Sequence, residues 1–201
     1  MTKIKLCGLT RLLDVQAANE LLPEFIGFVF APKSRRYVSP QLASTLKNNL
    51  SPKIQAVGVF VDETVERVAE LLNDGVIDLA QLHGSEDDLY VERLRTLTNK
   101  PIVKAFSIKT NEDVTKASSS NADFLLLDSK SGGSGTEFDW ELIKDFKRSY
   151  FLAGGLTPNN VARALELLHP FAVDVSSGIE TNGIKDITKM TQFIATVRKA
   201  F

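Results

Sequence analysis

The sequence contains one cysteine, Cys7, at the end of the apolar run Lys3-Ile4-Lys5-Leu6-Cys7 and just before Gly8-Leu9-Thr10. A thiol becomes chemically useful when it ionises, and an unperturbed one is only a few per cent thiolate at pH 7. A lone cysteine also serves as a small buried hydrophobe, so its place in the fold decides between the two readings. Asp128 follows the four apolar residues Phe124 to Leu127. A half-buried carboxyl there is pushed towards its protonated form and suits a proton donor, whereas an ordinary Asp at this point caps a helix or starts a turn. Two glycine-bearing segments complete the set: Gly154-Gly155, and Ser176-Ser177-Gly178. Glycine lets backbone N–H groups approach a phosphate closely.

Other residues have a plainer alternative beside the functional one. Arg35-Arg36 reads as a solvated pair or, turned inwards, as a bidentate grip on a carboxylate or phosphate. His83 contacts a ligand or is a satisfied hydrogen-bonding histidine, and His169, before Pro170, is structural. Gly132-Gly133-Ser134-Gly135 is too short for a P-loop and lacks its lysine, which leaves a lid loop.

These residues need elements to hold them, and the chain alternates short apolar runs with amphipathic segments. After Lys3–Cys7 come Phe25–Phe30, Ala56–Val61, Leu79–His83, Ile102–Phe106, Phe124–Asp128, Tyr150–Ala153 and Phe171–Val175. Val65, Val68, Ala69 and Leu72 share a helical stripe, as do Val161, Ala164, Leu165 and Leu168, and Ile187, Met190, Ile194 and Val197. Ser39-Pro40 reads as a helix start, and so does Asp62 or Thr64 before Val65. Eight strands buried on both faces and separated by helices predict an α/β fold, a single (β/α)8 TIM barrel, over an open doubly wound sheet. In such a barrel the C-terminal ends of the strands and the loops that follow them build the active site. Loops after the seventh and eighth strands frequently hold phosphate. Cys7, Asp128 and both glycine segments fall at those positions.

Alternation along the first strand puts Lys5 and Cys7 on one face, with Ile4 and Leu6 turned towards the helices. A lysine inside a barrel requires a partner, and Asp174 on the last strand is the candidate. Its charge either completes a structural ion pair or also lowers the pKa of Cys7.

The 201 residues fit one domain, 1–201, and are 43% hydrophobic and 24% charged. A net charge of −1 argues against nonspecific nucleic-acid binding, so local groups must hold any anion. One cysteine allows no intrachain disulfide and no multi-cysteine zinc site, and two histidines without clustered carboxylates make no metal site. The start shows no signal-peptide core and no run approaches the ~20 apolar residues of a membrane span, so a soluble cytoplasmic protein is expected.

Taken in order, the strings resemble the phosphoribosylanthranilate isomerase family over nearly the whole chain. Lys5-Leu6-Cys7-Gly8-Leu9-Thr10 resembles that family's N-terminal cysteine motif. Gly27-Phe28-Val29-Phe30, with Pro32 to Pro40 after it, is similar to the second strand and its loop. Val57-Gly58-Val59-Phe60, Gln81-Leu82-His83-Gly84, Leu127-Asp128-Ser129, Gly132 to Gly135, Phe138-Asp139-Trp140, Ala153-Gly154-Gly155-Leu156 and Phe171 to Gly178 follow in register. Ala153 departs from a frequent serine, while the glycines after it are kept. The resemblance implies an Amadori rearrangement in tryptophan biosynthesis, with Cys7 as base of lowered pKa and Asp128 as acid of raised pKa. It implies phosphate on Gly154, Gly155, Ser176, Ser177 and Gly178, with Arg36 near the anthranilate or assisting Asp128. No cofactor is implied; the expected partner is a small phosphosugar, not a nucleic acid or membrane, and the expected assembly is a monomer or homodimer.

Rival readings fit less well. An indole-glycerol-phosphate synthase would want a catalytic lysine pair and a longer helix before the first strand. A ribulose-phosphate epimerase would want His and Asp metal ligands at strand ends, where only His83 is available. A catalytically dead phosphosugar-binding barrel would not need both Cys7 and Asp128, and a purely structural partner protein would not need glycines and serines gathered at one face.

Overall fold

The computed structural model describes residues 1–129 and 140–200. Eight parallel strands close into a barrel in chain order: β1 (Lys3–Cys7), β2 (Phe25–Val29), β3 (Gln55–Phe60), β4 (Leu79–Leu82), β5 (Ile102–Ile108), β6 (Phe124–Ser129), β7 (Tyr150–Leu152) and β8 (Ala172–Val175). Helices α1 (Leu12–Leu21), α2 (Pro40–Asn48), α3 (Val65–Asn73), α4 (Asp88–Leu97) and α5 (Asn111–Ser119) cross back between the first six strands. A short 3-10 turn, Trp140–Ile143, precedes β7, α6 (Val161–Leu168) joins β7 to β8, and α7 (Ile187–Lys199) ends the chain. The expected barrel is therefore present. Every expected strand except β1 shifts its boundary by one or two residues at one end or both; at the last strand Phe171 precedes β8, and its ring stacks on Phe124 at 5.1 Å.

Alternation sorts each strand's side chains into two cores. Facing inwards, Phe25, Val57, Leu79, Val103, Leu126, Phe151 and Ala172 fill the barrel, with Phe25 and Phe151 edge to face at 5.3 Å. Facing outwards, Ile4, Leu6, Ile26, Phe28, Ala80, Leu82, Leu125, Leu127 and Val173 pack the helices. The aromatic plug occupies the end where the strands begin, which leaves the opposite end free for polar side chains.

Local signals set the helix ends. Ser39 accepts from the Leu42 N–H ahead of Pro40, and Thr64 takes the N-cap position of α3. Asp62, the other candidate cap, adopts positive φ (52°), and its carboxylate accepts from the backbone N–H and hydroxyl of Ser85 instead. His169 is the left-handed C-cap of α6, a structural place as expected.

An element absent from the sequence reading follows β8. The 3-10 turn Ser177–Ile179 leads into a two-stranded hairpin, β9 (Glu180–Thr181) with β10 (Ile184–Lys185), turned by Asn182 and Gly183, both at positive φ. The dipeptide Asn-Gly is the sequence signature of such a turn. It went unread because strands of two residues show no alternation.

Candidate active site

Cys7, Arg36, His83, Asp128, Gly154, Gly155, Ser176 and Ser177 line one cavity of about 420 Å³ at the C-terminal end of the strands. Gly178 stands just outside this lining, and Gly132, Gly133, Ser134 and Gly135 lie outside the described residues. A concave site of this size suits a small ligand.

Cys7 closes β1 opposite Gly27 of β2, and a Cβ added to Gly27 would come within 2.7 Å of the Cys7 Sγ. Gly27 thus makes room for the thiol. At Gly8, with φ of 81°, an added Cβ would meet the Arg36 Cδ at 2.4 Å, so the absence of a side chain lets the Arg36 stem lie across the end of β1. Lys5, directly below Cys7 on the same face, is fully buried and bonds Asp174 at 3.0 Å across the β1–β8 register. That pairing is the one expected from alternation.

The Cys7 thiol is raised above its ordinary value, a correction to the lowered one expected. Burial is the dominant cause. The Lys5 charge pulls the other way, Asp174 opposes it in turn, and Lys185 pulls down again. A carboxylate and a dry environment therefore outweigh the lysine on which the expectation rested.

On the far side, the Asp128 carboxylate lies 3.5 Å from the His83 Nε2, and the Gln81 Nε2 lies 2.8 Å from the His83 Nδ1. When the Gln81 amide donates to Nδ1, the ring proton of a neutral His83 sits on Nε2, facing Asp128. The buried Gln81 Oε1 has no hydrogen-bond partner among the described residues and belongs to the cavity lining. Gln81 escaped the sequence reading, although alternation places it on the face shared by His83.

Arg36 donates through Nε (2.6 Å) and Nη2 (2.8 Å) to the two carboxylate oxygens of Glu180, a bidentate fork that leaves Nη1. Lys185 donates to the same Glu180 at 2.6 Å, to the Ser176 carbonyl at 2.9 Å and to the Ser176 hydroxyl at 3.4 Å. Burial works against the Glu180 charge, but the hydrogen bonds and charges of Arg36 and Lys185 prevail and hold its carboxyl at about 2.

The glycine segments meet above β7 and β8. Gly154 and Gly155 take φ of 92° and 65°, and a Cβ on Gly178 would fall 1.9 Å from the Leu156 carbonyl oxygen. The two loops thus touch backbone to backbone, which only glycine permits. Among the described residues no group of three or more His, Cys, Asp and Glu side chains is placed to hold a metal ion.

The sequence profile of N-(5'-phosphoribosyl)anthranilate (PRA) isomerase matches residues 4–196. The chain belongs to this family. Membership makes the protein an isomerase of tryptophan biosynthesis. It is 44% identical over 202 residues to the N-(5'-phosphoribosyl)anthranilate isomerase of Endomicrobium trichonymphae, covering 98% of this chain and 99% of that one. Among solved structures, the phosphoribosyl anthranilate isomerase of Thermotoga maritima superposes with a TM-score of 0.92 at 37% identity, over 99% of this chain and 100% of the other. A phosphoribosyl anthranilate isomerase in complex with reduced 1-(o-carboxyphenylamino)-1-deoxyribulose 5-phosphate matches with a TM-score of 0.89 at 35% identity, over the same shares. No helix among the described residues is long and apolar enough to cross a membrane.

Proposed function

We propose that the chain, acting as one domain over residues 1–201, converts N-(5-phospho-β-D-ribosyl)anthranilate to 1-(2-carboxyphenylamino)-1-deoxy-D-ribulose 5-phosphate, with Asp128 as general acid and Cys7 as general base. One observation carries this reading: a thiol and a carboxyl from β1 and β6 line the same cavity as the glycine loops after β7 and β8.

Asp128 gives its proton to the ribose ring oxygen, the C1–O bond breaks, and the anthranilate nitrogen forms an iminium with C1. The Cys7 thiolate then takes the proton from C2, and the C2–H electron pair moves towards the iminium to give an enolamine. Tautomerisation, with a proton returned to C1, leaves the ketone at C2. The iminium serves as the electron sink, so this rearrangement calls for neither metal nor organic cofactor. Burial makes the thiolate scarcer but also more basic, which favours removal of a carbon-bound proton once it forms.

The substrate phosphate is assigned to the backbone of Gly154, Gly155, Ser176, Ser177 and Gly178. Arg36 Nη1 is left to meet the anthranilate carboxylate, Nε and Nη2 each donating to Glu180. A protein whose one cysteine must remain a thiol suits the reducing cytoplasm.

The test is a direct assay with freshly formed substrate, following loss of anthranilate-type fluorescence without added metal. Turnover is expected in the wild type. Cys7→Ala, Cys7→Ser and Asp128→Ala should each lower kcat by at least ~10²-fold with KM little changed. Near wild-type turnover in any of them would remove that residue from its role, and an inactive wild type would sink the reading.

A further inference from the structure

The charges around Cys7 do not balance. From β1, Lys5 is matched by Asp174 of β8 at 3.0 Å. From the loop after β2, Arg36 is matched by Glu180 of β9 through two hydrogen bonds. From β10, Lys185 reaches the same Glu180 at 2.6 Å, so two cations share one carboxylate. The side chains of Lys5, Asp174, Glu180 and Lys185 are 1%, 9%, 6% and 2% exposed, too buried for solvent to screen the mismatch.

The surrounding charges do not change this count. Arg11 donates to the Lys185 carbonyl but is paired with Asp14, and Lys189 donates to the Glu180 carbonyl beside Asp186. Arg35 lines the cavity as an exposed side chain that solvent screens, and Asp128 of β6 faces His83, the residue after β4. Burial lowers the pKa of Lys185 while the hydrogen bond and charge of Glu180 hold it up, and as an ammonium it has an acceptor for each of its three N–H groups in Glu180, the Ser176 carbonyl and the Ser176 hydroxyl.

We propose that Lys185 supplies the unbalanced positive charge that makes the Cys7 thiolate affordable inside the barrel, the thiolate being the third anion of a cluster with three cations and two carboxylates. The inference rests on Cys7 acting as base, and it makes Lys185 a positioning residue for charge, not one that touches the substrate. Lys5 is the nearer influence on the thiol, but Asp174 offsets it; the pull of Lys185 is added to that pair. Lys185 and Cys7 each register the other's charge.

Because Cys7 is the one cysteine, its ionisation can be followed in the intact protein by the pH dependence of alkylation with iodoacetamide and by thiolate absorbance. Lys185→Met should move the midpoint up by at least about one pH unit, whereas Lys185→Arg should leave it near wild type. Glu180→Gln removes a negative charge from the same cluster and should move the midpoint down. Loosening of the hairpin alone would not produce shifts of opposite sign from two neighbours. An unchanged midpoint in folded Lys185→Met, or a shift of the same sign in both, overturns the proposal. If Lys185→Met does not fold, Glu180→Gln decides by its sign, and no downward shift overturns it. The base role is tested separately, by turnover of Cys7→Ser, so failure of one is not mistaken for failure of the other.

Discussion

Glu180 accepts three hydrogen bonds from two cations and keeps its charge down to about 2, against 4.5 for an ordinary glutamate. The sign of its contribution follows by linkage. A carboxyl depressed in the folded protein stabilises it above the unfolded value and ceases to do so as pH falls through the folded one. Glu180→Gln should therefore unfold at lower urea concentration than wild type at pH 7, with the gap closing between about pH 4.5 and pH 2. A gap that stays constant over that window would show that the loss comes from shape and not from charge. At this scale the sequence was legible where period two applied: Lys5 with Asp174, and Cys7 at a strand end. Glu180 and Lys185 were hidden because their hairpin is too short for any periodicity, even though Asn182-Gly183 marked its turn. The direction of the Cys7 shift was misread for a different reason. Desolvation depends on everything packed around a group, and a neighbouring lysine in the sequence reports only one part of that.

The loops after β7 and β8 function as one element, since they touch at Gly178 and Leu156. Gly178→Ala would drive a methyl group into the Leu156 carbonyl, which is backbone and cannot rotate away. We expect a loss of about 1–3 kcal/mol in thermal or urea unfolding. Gly155→Val, at φ of 65°, should instead act mainly on the ligand, weakening competition by inorganic phosphate several-fold while most stability remains. Equal competition in both proteins would place the phosphate elsewhere. The strands themselves were readable, because eight apolar runs buried on both faces admit few alternatives. The connection from β6 to β7 was not: its described part, residues 140–149, holds a 3-10 turn of four residues, Trp140–Ile143, with no helical stripe to announce it.

At the scale of the molecule, the barrel closes where its two ends meet, with β1 paired to β8 from Lys3–Ala172 through Leu6–Val175. Removing residues 172–201 would strip β1 of one neighbour and take away α7, which packs on β1, α1 and α6. Such a chain should show no cooperative thermal transition by circular dichroism; a sharp one would mean that seven strands suffice. The same seam holds ion pairs that surround the proposed base. Lys5–Asp174 spans 169 residues of sequence and Arg36–Glu180 spans 144. Both bonds tie the first fifth of the chain to its last stretch. A ribosome making this protein therefore exposes the Cys7 thiol early but cannot assemble its surroundings until translation is nearly done. If Cys7 is the base proposed above, activity reports completeness: truncated or stalled chains carry Cys7 without Asp174, Glu180 and Lys185, and are expected to remain silent.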